Sequence, residues 1–335
     1  MDLTTRYLGL ELRNPLVASA SPLSHTLEGI RRLADGGVAA VVLHSLFEEE
    51  IEHEAARHAA LASAGADSFA ESLTYFPEPT EARAGYRHLS LLERARSAVD
   101  VPVMASVNGA TVGGWTRFAR SLADAGAAAI ELNISPFTAD PHVSGREVEE
   151  RHLEILGLVK QAVEVPVAVK LHPYFSSMAN MVPRLDAAGA DGLVLFNRFL
   201  FPDVDAEDLA VTVSVGLSQP ADARLARTWI ALLHRHRRVS LAASGGVEGP
   251  HDVAGYLLAG ADVVMSTSAL LRHGPAHATV LLDGLVAWMA AKGFVGLDQV
   301  RGLLAADPDT AEHAGLRAEY VAAMRAANVN AAGPW

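Results

Sequence analysis

A lysine closes an otherwise apolar run, VPVAVK, at Lys170. Held among valines, an ammonium needs an anionic partner or it gives up its proton. It suits contact with a developing negative charge or formation of a Schiff base; a structural salt bridge to a carboxylate is the alternative. Two similar runs end in asparagine, Asn133 in IELN and Asn197 in VLFN. An amide offers donor and acceptor together, as reading a heterocycle edge requires, and it also caps turns. A further run ends Ser244-Gly245-Gly246, and the next ends Ser266-Thr267-Ser268. Bare backbone N–H groups beside hydroxyls suit a phosphate; a tight turn is the plainer reading of Gly-Gly. Beyond Asn133 stands Ser135-Pro136, where the proline limits the backbone and aims a hydroxyl.

All these residues occupy one place in a repeated unit. RRLADGGVAAVVLHS, RSLADAGAAAIELNIS, PRLDAAGADGLVLFN and YLLAGADVVMSTS each read as a helix end, a glycine, and a short apolar run closing on a polar residue. Glycine past a helix C-terminus accepts the left-handed conformation at little cost. AVDVPVMAS and AVEVPVAVK turn from a helix through Val-Pro-Val into a strand. With PLVASA and SLAASGG, eight apolar runs lie near residues 15, 38, 101, 127, 165, 191, 240 and 262. Between them lie helical stripes such as Trp115, Phe118, Ala119, Leu122 and Ala125. Strands apolar throughout suit a parallel sheet covered on both faces. The pattern predicts an α/β fold, a (β/α)8 barrel with an N-terminal hairpin; a doubly wound open sheet is the runner-up. Residues 1–292 are expected to form the barrel, and 293–335 a helical extension and tail of the same domain. Residues 46–84 are too long for a simple connection and suggest a lid or subunit contact.

In such a barrel the chemistry sits at the strand C-termini. To the residues above, those ends add Ser19, Ala20, Ser21, His44, Ser45, Ser106, Asn108, His172 and Arg198. Almost every member can hydrogen-bond. Arg198 suits a clamp on a substrate carboxylate, with an ion pair to Asp203 or Asp205 as the plainer role. His44 is a candidate acid or base near neutral pH, or a neutral imidazole donating a hydrogen bond.

The totals narrow the partners. Half of the 335 residues are hydrophobic, a fifth are charged and the net charge is −12, which opposes nucleic-acid binding. With no cysteine there is no disulfide, thiolate metal site, chain-borne iron–sulfur cluster or cysteine nucleophile. His53 and His58 are five apart, poorly placed for one helix face, and no metal site is expected; Glu48-Glu49-Glu50 reads as a solvated stretch. No GxGxxG, GxxxxGK[ST] or HExxH motif occurs. MDLTTRYLGLELRNP lacks a secretion-signal pattern, and no apolar stretch reaches the ~20 residues of a membrane span. A cytoplasmic protein is expected.

LGLELRNPLVASAS, VPVMASVNG, IELNIS, VPVAVKLHPYF, VLFN, AASGGV and VVMSTSALLRHGP, in that order over roughly residues 6 to 290, resemble the dihydroorotate dehydrogenase family. Its members are FMN-dependent barrels that oxidise dihydroorotate to orotate. The resemblance implies FMN across the barrel mouth. Ser19, Ala20 and Ser21 would back the ring, Asn133 and Lys170 would meet its pyrimidine edge, and Gly245, Gly246, Ser266 and Thr267 would hold its phosphate. Ser45, Asn108, Asn197 and Ser244 complete the implied cofactor set. Ser135 falls in the context of the family's general base, and Phe137, Asn197 and Arg198 on the substrate side. A small, carboxylate-bearing substrate, a soluble electron acceptor or redox partner, and a homodimer would follow, with neither nucleic acid nor membrane bound.

The sequence also departs from the family. His44-Ser45 stands where the family has Lys-Ser, and that lysine bridges flavin and substrate. Asn133-Ile134-Ser135-Pro136-Phe137 is one residue shorter than the family loop, lacks its cysteine and ends in phenylalanine instead of asparagine. TYFPEP lies where substrate asparagines are expected. The flavin half of the pattern is kept and the substrate half is rewritten, so a substrate other than dihydroorotate is expected; a genuine dihydroorotate dehydrogenase of pyrimidine biosynthesis and a flavin-binding protein without turnover are the alternatives.

Overall fold

The structure is a computed structural model and describes residues 1–51, 53, 85–109, 115–134, 140–198, 202–213, 216–236, 238–306, 318 and 320–325. A hairpin, β1 (Thr5–Tyr7) and β2 (Leu10–Leu12), comes first, followed by β3 (Leu16–Ala18), β4 (Ala40–Val42) and the two-residue β5 (Leu46–Phe47). Then come β6 (Val103–Gly109), β7 (Ile130–Ile134), β8 (Val167–Leu171) and β9 (Gly192–Leu195). A second hairpin, β10 (Pro202–Asp205) and β11 (Ala210–Val213), precedes β12 (Ser240–Ser244) and β13 (Val263–Ser266). The large sheet runs β4-β3-β13-β12-β9-β8-β7-β6, with β5 as an appendage on β6. All its pairings are parallel, and β4 pairs with β6 through Val41↔Val103, which closes the sheet into a barrel. The eight barrel strands fall at the eight apolar runs of the sequence.

Helices return each strand to the next. Trp115–Asp124 buries Trp115, Phe118 and Leu122, the stripe its periodicity predicts. The helix Gly145–Ala162 starts in a capping box: Ser144 accepts from the Glu147 N–H, and Glu147 accepts from the Ser144 N–H at 2.6 Å. The β10–β11 hairpin is not visible in the sequence pattern, and it exposes Val204, Leu209 and Val211. Residues 293–306 pack back on the barrel, with Asp2 bridging to Gly296 and the Leu304 N–H donating to the Leu258 carbonyl. Most of the long segment 46–84 and of the C-terminal extension lies outside the described residues. Among the described residues no helix is long and apolar enough to cross a membrane.

Two apolar layers share the strands by alternation. Outward residues such as Ile130, Leu132, Val167 and Val169 join the helices in the larger core. Inward residues are small: Ala40, Ala129, Ala168 and Ala242 accompany Val17, Val42, Met104 and Val194. That leaves an interior too wide for its own side chains to fill. The first hairpin fills it, contributing Tyr7, Leu8 and Leu12 to the same cluster. Gly192 permits this approach, since a Cβ there would lie 2.5 Å from the Leu8 side chain.

Histidines are also buried. His88, on the helix Tyr86–Arg96, is 3% exposed, and His172, just past β8, is 7% exposed. Burial pushes both imidazoles down to about 3, helped by His44 and His25 around His88 and by His152 and Lys170 around His172. The unfolded chain takes up a proton at each near the usual 6.5, whereas the folded chain resists until about 3. Stability is therefore full above pH ~6.5 and is lost as the pH falls, at up to about 1.4 kcal/mol per pH unit for each histidine. Thermal unfolding measured from about pH 7.5 to 4.5 should show this decline. His88→Leu should flatten it; a slope unchanged by that substitution would contradict the assignment.

Candidate active site

The polar residues of the barrel mouth stand one alternation above the small inward layer. Ser19 follows Val17, Ser106 follows Met104, Glu131 follows Ala129, Lys170 follows Ala168 and Ser244 follows Ala242. Strand geometry alone brings them to one level. Lys170 is 6% exposed; its Nζ donates to Ser19 Oγ at 3.3 Å and lies 3.4 Å from Glu131 Oε1. The same carboxylate oxygen accepts from Ser106 Oγ at 3.2 Å, and Ser106 meets Ser45 at 2.9 Å. Asn133 and Asn197 form the next step outward, with Asn197 Nδ2 donating to Asn133 Oδ1 at 3.0 Å.

A cavity of about 710 Å³ opens above this floor. Its wall includes Ser19, Ala20, Ser21, Lys170, Asn197, Arg198, Ser244, Gly245, Ser266 and Thr267, all expected from the sequence. Asn133 is buried behind the wall and is tied to it by its bond to Asn197. Ser45 and Asn108 lie on the β5–β6 side, Ser45 bound to Ser106 and Asn108 level with Asn133 in the ladder. Ser135 and Phe137, proposed from sequence as base and substrate contact, lie outside the described residues, as does His58; His53 is exposed. Arg198 is exposed and makes no ion pair with Asp203 or Asp205 among the described residues. Its backbone N–H donates to Asn197 Oδ1 at 2.9 Å.

Another part of the cavity wall is a cradle. Gly245 and Gly246 have φ of +96° and +65°, the left-handed region that favours glycine. A Cβ on Gly245 would meet nothing within 4 Å, so that backbone faces open space. On Gly246 it would strike Ala223 N at 2.6 Å, so this glycine lets the turn rest on the helix Ala223–Leu233. The Gly246 N–H is spent on Ser218 Oγ at 3.1 Å, which narrows its expected phosphate role. Ser218 in turn binds Ser268 through its N–H and its hydroxyl, both at 2.9 Å. Arg272 holds the Ser218 carbonyl at 2.7 Å and pairs with Glu248. Ser266 Oγ is buried at the cavity with no hydrogen-bond partner among the described residues.

His44 adopts a fixed tautomer. Its Nδ1 lies 3.4 Å from the Ser24 carbonyl, which only accepts, so Nδ1 carries the proton. Nε2 is then the acceptor, facing His88 Nδ1 at 3.4 Å. His25 stacks on the other side with ring centroids 3.8 Å apart. Burial first, then His25, lowers the His44 pKa below its ordinary value. Both ring nitrogens are thus turned toward protein partners.

Sequence reasoning missed Glu131, Ser218 and Tyr174. Glu131 had a signal: it lies two residues from Asn133 and so shares its face. Ser106 was visible only as one member of a strand end. Ser218 and the exposed Tyr174, both on the cavity wall, come from loops with no periodicity to read.

The residues present fit FMN. The cavity is of ligand size, and its wall carries the Lys170 ammonium, the Asn197 amide, the open Gly245 backbone and the hydroxyl-bearing Ser266 and Thr267. Comparison with known proteins agrees. The family model described as dihydroorotate dehydrogenase matches residues 2–289. The chain is 27% identical over 323 residues to the dihydroorotate dehydrogenase B (NAD(+)) catalytic subunit of Methanothermobacter thermautotrophicus, covering 90% of this chain and 98% of that one. It is 34% identical over 170 residues to the corresponding subunit of Geobacillus sp., covering 49% of this chain and 54% of that one. Against the putative dihydroorotate dehydrogenase A (fumarate) of Aeropyrum pernix it is 29% identical over 230 residues, 66% of this chain and 74% of that one. A closed parallel barrel carrying this floor and cradle, matched along most of its length, belongs to the dihydroorotate dehydrogenase family of oxidoreductases that act on CH–CH groups.

Proposed function

We propose that the protein is an FMN-dependent oxidoreductase that dehydrogenates a CH–CH bond of a small carboxylate-bearing substrate other than dihydroorotate. The observation that carries the cofactor is one cavity wall that brings together Lys170, 6% exposed, the open Gly245 backbone, and Ser266, whose buried Oγ has no hydrogen-bond partner among the described residues. When bound, FMN supplies a two-electron acceptor for hydride at its ring. The chain's residues do the rest. Lys170, Asn133 and Asn197 hold the ring edge where negative charge gathers; Gly245, Ser266 and Thr267 hold the phosphate; Ser19, Ala20 and Ser21 back the ring. Arg198, not committed to Asp203 or Asp205, clamps the substrate carboxylate from the rim. Ser135 takes the substrate proton.

The substrate assignment rests on His44. It occupies the place of the family's bridging lysine, and its ring nitrogens face Ser24 and His88. It therefore acts as a neutral wall and not as a cation reaching the substrate. The relatives, named for dihydroorotate oxidation, favour the second reading, a genuine dihydroorotate dehydrogenase. Their printed names differ in acceptor, NAD(+) or fumarate, so the acceptor here is open to a soluble molecule or a partner protein.

Purified protein should be yellow and release FMN on denaturation; a colourless protein that takes up no FMN would sink the proposal. Dihydroorotate added without oxygen should leave the bound flavin oxidised, and rapid bleaching would establish the second reading instead. With the true substrate, Ser135→Ala should slow flavin reduction by roughly 10²–10⁴ while FMN stays bound. A rate unchanged in single-turnover measurements would remove Ser135 as the base.

A further inference from the structure

Among the described residues, the carboxylate in the floor of the mouth, Glu131, has a role that binding of the cofactor does not explain. Glu131 is 3% exposed, and a carboxylate of that kind costs several kcal/mol to desolvate. It is incompletely satisfied in return. Oε1 takes both Ser106 and Lys170, while Oε2 is buried with no hydrogen-bond partner among the described residues. Both contacts of Lys170 are long, 3.3 Å to Ser19 and 3.4 Å to Glu131. An ammonium has three N–H donors, so one remains for the cavity that Lys170 lines. The field of Glu131 also reaches beyond its contacts. Together with Asp262, and after burial, it pushes the Tyr7 phenol well above its ordinary range.

We infer that Glu131 is a positioning residue: its carboxylate holds the Lys170 ammonium in the barrel mouth and offsets its charge, so the pair sets how readily bound flavin accepts electrons. The inference rests on the FMN reading above. An ammonium beside the ring edge favours the negative charge that arrives with electrons, and a carboxylate 3.4 Å behind it opposes the same charge. Neither is screened by water at these exposures. Ser106, itself bonded to Ser45, holds the same carboxylate oxygen that faces Lys170, which fixes that oxygen toward the ammonium.

The test is the midpoint potential of bound FMN, measured by spectroelectrochemistry on the whole protein. Glu131→Gln keeps the shape and the Ser106 bond and removes the charge. It should favour the reduced flavin at least about tenfold in equilibrium constant, about 30 mV for a two-electron couple. Lys170→Met should move the potential the opposite way. The double variant should lie at least about tenfold above Lys170→Met. A potential that Glu131→Gln leaves unchanged or lowers would overturn the inference. If that variant does not load FMN because its ammonium is left unpaired, the two Lys170→Met backgrounds decide, and equal potentials in them overturn it. Wild-type protein that takes up no FMN would instead sink the cofactor reading, a separate outcome.

Discussion

An ammonium and a carboxylate share the mouth of this barrel with almost no water between them. Taking both out of water is costly, and an apolar pair of similar volume is often as stable or more so. The Lys170–Glu131 pair is therefore poorly explained as a device for holding the barrel together. It makes sense as a fixed field at the floor of a cavity, and the rest of the fold follows from keeping that field in place. Ser19 and Ser106 supply the polar contacts that make burial tolerable. The layer beneath must be small to admit the two charged stems at one level, hence Ala129 and Ala168 directly below Glu131 and Lys170. A layer of alanines leaves the lower barrel underfilled, and Tyr7, Leu8 and Leu12 of the first hairpin fill it. One electrostatic constraint at the top is thus linked through packing to a plug at the bottom.

Two parts of the cavity wall are built by different means. The charged part stands on strand residues whose spacing is fixed by the ladder. The glycine part stands on loops after β12 and β13, which have no ladder to fix them. Cross-links do that work: Ser218 joins the Gly246 N–H to Ser268, and Arg272 ties Ser218 to Glu248. These cross-links span large separations in sequence, so the loop order depends on the closed barrel. Tyr256 adds a further tie, donating to the Gly245 carbonyl at 2.7 Å.

This division explains what could be read from the sequence. The barrel was legible because four units repeat a glycine stop, a short apolar run and a polar end, two more enter through Val-Pro-Val, and all eight strands fall on the apolar runs. Lys170, Asn133, Asn197 and Gly245 were legible because strand ends are where side chains turn toward the mouth. Glu131 was overlooked because its strand read as apolar, although the two-residue period through Asn133 placed it inward. Ser218 gave no signal, since its position depends on contacts 28 and 50 residues away. The β10–β11 hairpin was also silent: PDVD and AVTV pair only with each other and bury no core face that would impose a pattern. The substrate-side residues lie largely in segments whose geometry is not described, and there the sequence alone speaks.

His44 links the two halves of the site. Where the family carries a second lysine, this chain places a ring whose nitrogens face Ser24 and His88 and whose face stacks on His25. Burial first, and then His25, lowers the pKa of an imidazole so confined and so favours its neutral form. Exchanging a cation for a neutral ring removes positive charge from the rim while leaving the floor intact. More of the burden of meeting negative charge then falls on Lys170, and any group that offsets Lys170 gains weight in proportion. Glu131 is the carboxylate in contact with it. The change at position 44 and the ion pair at the floor therefore act on the same electrostatic balance.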